Sequence, residues 1–236
     1  EFFKAIVLGV VEGITEFLPI SSTGHLIILN QWIAFGEEFT KTFDVVIQLG
    51  AIFAVVAYFC DRLWPFGKSQ KDRGVIFDTT KKAVIGVLPA LLLGLLFGEE
   101  IEARLLDPVT LATMLFLGGI LLILVDRQKI SHSIFSIREM SYKTVLLIGL
   151  IQAVAMIPGT SRSAATIIGG IFLGLSRATA AEFSFFLAIP TMIAASGYTL
   201  MKSGFSLSFS ELAVLATGFF VSFVVAWAVI RAFINY

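Results

Sequence analysis

The sequence predicts an all-α integral membrane protein, a multi-span helical bundle built from two inverted repeats, each with a re-entrant broken helix. Three observations lead there. Of its 236 residues, 57% are hydrophobic and only 14% are charged, against roughly 25% charged in a soluble domain, and mean hydropathy is +0.93. Several apolar stretches are long enough to cross a hydrocarbon core of about 30 Å. A polar-interrupted segment near residue 9 also returns in altered form near residue 149.

The first segment, 1–41, is apolar except at EGITEFLPISSTGHL, residues 12–26. Glu12 and Glu16 are four apart and share a helix face. Pro19 breaks that helix, and Ser21, Ser22 and Thr23 are residue types that cap a new one. Gly24 permits close approach, and His25 falls on the first turn. Spans follow at about 43–60, 83–98 and 108–125. The segment 144–176 is again interrupted, by Pro158-Gly159 and then Thr160-Ser161-Arg162-Ser163, before spans at about 181–201 and 211–230. Continuous apolar runs, rather than alternation, exclude a β-barrel.

Loop charge sets an orientation. The 61–82 loop carries Arg62, Lys68, Lys71, Arg73, Lys81 and Lys82, and the 127–143 loop carries Arg127, Lys129, Arg138 and Lys143. The positive-inside bias makes both cytoplasmic and leaves Glu37, Glu38 and the acidic 99–107 loop outside. Arg177 and Arg231 then fall inside only if 144–176 enters the membrane and returns to the same face.

GVVEGITEFLPISSTGHL from Gly9 lines up with GLIQAVAMIPGTSRSA from Gly149, so that Glu12 meets Gln152, Pro19 meets Pro158 and Ser22 meets Ser161. FDVVIQLGAIFAV from Phe43 matches FSFFLAIPTMIAA from Phe183 at an offset of 140 residues. The division is therefore 1–126 and 127–236, two halves of opposite sense whose broken helices meet near the midplane. The span at 108–125 has no mate in the second half. The expectation is that the natural chain continues beyond Tyr236 into one more membrane helix, and that a few residues precede Glu1.

The polar segments carry the chemistry. A half-helix N-terminus with free N–H groups and hydroxyls binds anions, and Arg162 adds bidentate grip on phosphate. Two such sites facing each other suit a diphosphate. Glu12 and Glu16 would repel it unless a hard divalent cation, Mg²⁺ or Ca²⁺, lay between them and the phosphates. That leaves Ser22 or His25 as nucleophile, with the other or Glu16 handling the proton. Arg162 and the metal would stabilise charge on the transferring group. Ser21, Thr23, Thr160, Ser161, Ser163 and Thr166 are candidate substrate contacts, though hydroxyls also cap and cross-link membrane helices. Asp44 and Gln48 share a helix face and are candidates for a supporting role. Gly118-Gly119 and Gly169-Gly170 read as helix-packing positions. The net charge of zero argues against a nucleic-acid partner, and Cys60, alone in the chain, forms no disulfide framework within it.

EGITEFLPISSTGHL together with PGTSRSAATI resembles the undecaprenyl-diphosphate phosphatase, or bacitracin-resistance, family of bacteria, and FDVVIQLGA and EFSFFLAIPTM extend the resemblance over nearly the whole chain. The resemblance implies hydrolysis of undecaprenyl diphosphate to the monophosphate and phosphate, recycling the lipid carrier of cell-wall precursors. It also implies a divalent-metal requirement, a homodimer in the bacterial inner membrane and a site open to the periplasm. The family's motifs fall on Glu12 and Glu16, on Ser21, Ser22, Thr23 and His25, and on Ser161, Arg162 and Ser163. Inverted repeats with broken helices are also a transporter plan, so a carrier or flippase of a polyprenyl phosphate or other anion is the alternative.

Overall fold

The computed structural model describes residues 1–128, 130–202 and 207–235; Lys129 and Tyr236, which enter the reading above, lie outside them. The described residues form helices α1 (Phe2–Thr15), α2 (Ser22–Ile33), α3 (Glu37–Tyr58), α4 (Cys60–Leu63), α5 (Gln70–Leu105) and α6 (Pro108–Arg127), followed by α7 (Tyr142–Gln152), α8 (Arg162–Phe172), α9 (Arg177–Lys202) and α10 (Phe209–Asn235). Five of them, α3, α5, α6, α9 and α10, are long and apolar enough to cross a membrane, which makes this a multi-pass membrane protein. At 1.5 Å per residue, α1 and α2 reach only about 21 and 18 Å.

Two boundaries differ from the sequence reading. Much of the basic 61–82 loop is helical, because α5 begins at Gln70, capped by the Ser69 hydroxyl, which accepts from the Asp72 amide at 3.2 Å. Charged opening turns carry no apolar periodicity, so their helicity is invisible to a hydropathy argument. At its far end α5 continues to Leu105, and the acidic loop shrinks to a tight turn at Leu106-Asp107. Asp107 caps α6, accepting from the Val109 and Thr110 amides at 2.9 and 3.0 Å.

Contacts gather the basic segments at one end of the bundle. Arg62 pairs with Glu182 and Arg177 with Asp126. The buried Lys82 ammonium donates to the Ile137 and Arg138 carbonyls at 2.9 and 3.0 Å and to Asp78 at 2.7 Å. Ile134 bridges Leu175, so the chain leaves into α7 and returns from α8 at that same end. The pair α1 and α2 has its own tie, from Lys4 Nζ to the Ala34 carbonyl at 2.9 Å.

The core depends on close helix approach. A Cβ on Gly50 of α3 would lie 2.4 Å from the Phe219 carbonyl oxygen of α10. One on Gly218 would lie 2.5 Å from the Phe43 ring. Gly169 and Gly170 pack as expected, against Ile151 and Ala180. Gly118 and Gly119 do not, for nothing lies within 4 Å of either; the exposed face of α6 on which they sit has no neighbour among the described residues. Helix α6 touches the bundle sparingly. Its Leu111 backbone lies against Gly159 and its Leu115 side chain against Gly24.

Candidate functional site

Helix α1 buries a stripe formed by Ala5, Leu8, Gly9, Glu12 and Gly13. Its period of three and four residues places Glu12 in the packed interior, where its side chain is 0% exposed. One turn later Glu16 forms the end of the helix and is also buried. The chain then turns through Phe17, Leu18, Pro19 and Ile20 to Ser21, whose φ of 64° makes it the one non-glycine residue with positive φ among those described. Such backbone strain concentrates at functional sites. The Ser21 hydroxyl caps α2, accepting from the Gly24 amide at 3.3 Å, and its carbonyl accepts from His25 Nδ1 at 2.8 Å. A proton on Nδ1 leaves Nε2 of a neutral ring as an acceptor.

The second break is built alike. Gly159, at φ 89°, turns the chain against the Leu111 backbone, and Ser161 caps α8 by accepting from the Ala164 amide at 3.1 Å. Ser161 and Ser163 share a hydrogen bond of 2.9 Å, and Ser163 donates to the Leu18 carbonyl at 2.8 Å. The tip of one hairpin is thereby fastened to the tip of the other.

Glu16 lies at the centre of the junction. Its Oε2 accepts from the Ser22 hydroxyl at 2.5 Å and its Oε1 from Arg162 Nη2 at 2.6 Å. Arg162 Nη1 donates to the Ser184 carbonyl at 3.2 Å, and the guanidinium faces the Phe17 ring at 6.0 Å. Arg162 Nε is buried with no hydrogen-bond partner among the described residues, as are both carboxylate oxygens of Glu12. The charges bearing on Glu12 are Glu16 and Asp44, of like sign, and Arg162, of opposite sign. Asp44 itself accepts from Asn30 Nδ2 at 2.9 Å.

Of the residues singled out in the sequence, Glu16, Ser22 and Arg162 thus form one hydrogen-bonded set and Ser161 and Ser163 a second, held on the Leu18 carbonyl, with Ser21 and His25 beside them. Thr166 lies one turn behind, bonded to the Arg162 and Ser163 carbonyls and to the Ser184 hydroxyl at 2.7 Å. Thr160 Oγ1 is buried without a partner among the described residues. Thr23 is exposed, and Gln48 is half-buried on α3 outside both sets. Ser184 and Asn30 escaped the sequence reading. Ser184 stands where Asp44 stands at the 140-residue offset, and that match is the signal that could have found it.

Chemically, the junction offers a hydroxyl already bonded to a carboxylate, two helix N-termini capped by serine and, among the described residues, a guanidinium with one free donor and a buried carboxylate with no donor. These are the parts of a phosphoryl-transfer site. Among the described residues no three His, Cys, Asp or Glu side chains converge to hold a metal by themselves. Two carboxylates completed by substrate phosphates is the usual Mg²⁺ arrangement, and the donorless Glu12 oxygens fit it.

Comparison with known proteins agrees with this geometry. A family model described as Bacitracin resistance protein BacA matches residues 5–236. An undecaprenyl-diphosphatase of Enterococcus faecalis is 44% identical over 244 residues, covering 100% of this chain and 88% of that protein. Undecaprenyl-diphosphatase 1 of Oenococcus oeni is 46% identical over 240 residues, covering 97% and 85%. The undecaprenyl-diphosphatase of Ectopseudomonas mendocina is 44% identical over 236 residues, covering 99% and 85%.

Proposed function

The chain belongs to the bacitracin resistance protein family, and from that membership we infer an undecaprenyl diphosphatase that cleaves its lipid substrate to undecaprenyl phosphate and inorganic phosphate at the Glu16–Ser22–Arg162 junction. The observation that carries the assignment of roles is the 2.5 Å bond from Ser22 to Glu16.

Ser22 Oγ attacks the terminal phosphorus and gives its proton to Glu16. The phosphoanhydride bond breaks, undecaprenyl phosphate leaves, and the phosphoryl group stays on Ser22. Water then attacks the phosphoserine, losing a proton to His25 Nε2; the P–O bond to Ser22 breaks, Ser22 takes back the proton that Glu16 held, and phosphate departs as His25 releases its proton to solvent. Arg162 grips the transferring oxygens through Nε and, on exchanging its bond to Glu16, through its terminal nitrogens. The capped N-termini of α2 and α8 add N–H groups facing anionic oxygens. Glu12, with the acidic side chains beside it, would hold a Mg²⁺ or Ca²⁺ ion, which when bound neutralises the diphosphate and stabilises charge on the transferring group.

Two further readings are ours. The ties from Lys4 to Ala34 and from Ile134 to Leu175 support hairpins that enter and leave the bilayer on one side, as expected of inverted repeats with re-entrant helices. The basic end defined by Lys82, Arg62 and Arg177 supports a cytoplasmic location for that end in a bacterial inner membrane. The site then opens toward the periplasm, and the isoprenyl chain stays in lipid while its head group reaches the junction. The homodimer implied by the family resemblance is also carried as a proposal.

The test is phosphate release from a short-chain isoprenyl diphosphate by detergent-purified protein, with and without Mg²⁺ or Ca²⁺. Ser22→Ala should abolish turnover, whereas His25→Ala should slow it by about 10²- to 10⁴-fold, the contribution of one proton-transfer group. Wild-type protein that binds the substrate and releases no phosphate would overturn the enzyme reading. Acid-labile, alkali-stable phosphohistidine in place of acid-stable phosphoserine at Ser22 would overturn the assignment of roles.

A further inference from the structure

The two glutamates of the first break are not equivalent. Both oxygens of Glu16 are taken, one by the Ser22 hydroxyl and one by the Arg162 guanidinium. Neither oxygen of Glu12 has a donor among the described residues, although the side chain is 0% exposed. A carboxylate in that state loses its water without compensation. The nearby charges make matters worse, because Glu16 and Asp44 share its sign and only Arg162 opposes it. When ionised, three carboxylates against one guanidinium carry two excess negative charges, the charge that one divalent cation offsets.

Asp44 is built for the same task. It projects from α3 toward α2, where the Asn30 amide donates to its Oδ2 at 2.9 Å and fixes its orientation. Its Oδ1 is buried and unpartnered among the described residues. An amide that donates to one carboxylate oxygen and leaves the other free is the usual outer support of an oxygen-ligated cation. The equivalent position in the second half, Ser184, also joins its third helix to the capped half-helix, through Thr166 and Arg162. Both halves thus use this position to attach a long helix to the break, but only the first half places a charge there.

On the footing of the phosphatase reading above, we propose that Glu12 and Asp44, with Asn30 as positioning residue, are the carboxylate pair that holds a divalent cation between the protein and the diphosphate, leaving Glu16 to serve Ser22 and Arg162. The cation site thereby spans α1 and α3, with the proton-handling Glu16 beside it and not among its ligands.

The experiment measures Mn²⁺ binding to detergent-purified protein by electron paramagnetic resonance in the absence of substrate, alongside phosphate release as a function of Mg²⁺ concentration. Asp44→Asn, which keeps shape and removes charge, should weaken Mn²⁺ binding by about tenfold or more and raise the Mg²⁺ concentration giving half-maximal turnover, with Asp44→Glu restoring part of both. Glu16→Gln should abolish turnover while leaving Mn²⁺ affinity within about threefold of wild type, less than the loss of even an outer-shell partner costs. Wild type that binds no Mn²⁺, Asp44→Asn with unchanged affinity in a monodisperse protein of unaltered Tm, or Glu16→Gln as the variant that loses the ion would each overturn the assignment. Failure of the phosphatase reading itself would show differently, as wild type that binds Mn²⁺ and releases no phosphate.

Discussion

Replacing Arg162 by lysine keeps the positive charge and removes the fork. In the structure one planar group reaches the Glu16 carboxylate at 2.6 Å and the Ser184 carbonyl at 3.2 Å. It also faces Phe17 and holds a third donor, Nε, in reserve. A single ammonium on a flexible stem cannot reproduce these directions together. The pair is well shielded, with side-chain exposures of 11% for Arg162 and 5% for Glu16, so solvent screening does not erase the difference. Loss of one charge-assisted hydrogen bond costs about 1.5–3 kcal/mol, which is roughly a ten- to hundredfold fall in kcat/KM when the bond serves the transition state. Arg162→Ala is harsher, because it strands the buried Glu16 oxygen at a cost of about 3–5 kcal/mol, and its Tm should fall along with its activity. Phosphate release from a short isoprenyl diphosphate, with Tm as the folding control, makes the measurement. Arg162→Lys within about threefold of wild type in kcat/KM, well short of one lost charge-assisted bond, would refute the claim that fork geometry matters.

Gly50→Ala would drive a methyl group to within 2.4 Å of the Phe219 carbonyl oxygen, a backbone atom that cannot rotate away; thermal unfolding in detergent should register about 1–3 kcal/mol of overpacking, and an unchanged Tm would contradict the closeness of α3 and α10. At the N-terminus of α6 the Thr110 hydroxyl, then the Thr110 and Val109 amides, hold the Asp107 carboxyl below the ordinary aspartate range. Because the folded value is depressed, the cap's contribution is complete above about pH 3.9 and fades as pH falls through the folded value. Asp107→Ala should therefore have a lower Tm than wild type at neutral pH, with the gap closing in acid; a gap constant down to pH about 3 would show that the ionised cap is not its source.

Much of the site was legible because its parts are local. Pro19 and Pro158 stop helices by chemistry that operates within a few residues, and serine caps the next helix in both cases, Ser21 for α2 and Ser161 for α8. Glu12 and Glu16 were rightly placed on neighbouring turns. Their different fates were not legible, since they depend on Arg162, 146 residues beyond Glu16 in the chain. The Asn30–Asp44 tie escaped because it joins two different helices, whose packing no local pattern shows. The extent of α5 escaped for the opposite one, because its first turns are charged and only the Ser69 cap marks them. Gly118-Gly119 shows the limit of a motif, for small residues allow close packing only where a partner helix arrives.

The bond between Glu16 and Arg162 also constrains how the protein comes into being. While the chain is being made, α1, α2 and α3 emerge with Glu12, Glu16 and Asp44 and without the guanidinium that later opposes them. Contacts of such long sequence separation form late and slowly, so the half-made protein holds its most costly charges in a provisional state. The second hairpin therefore does more than supply half of a site. Its arrival brings the one guanidinium that opposes those acidic side chains, and a chain interrupted before Arg162 would carry acidic residues with reason to remain at the membrane surface.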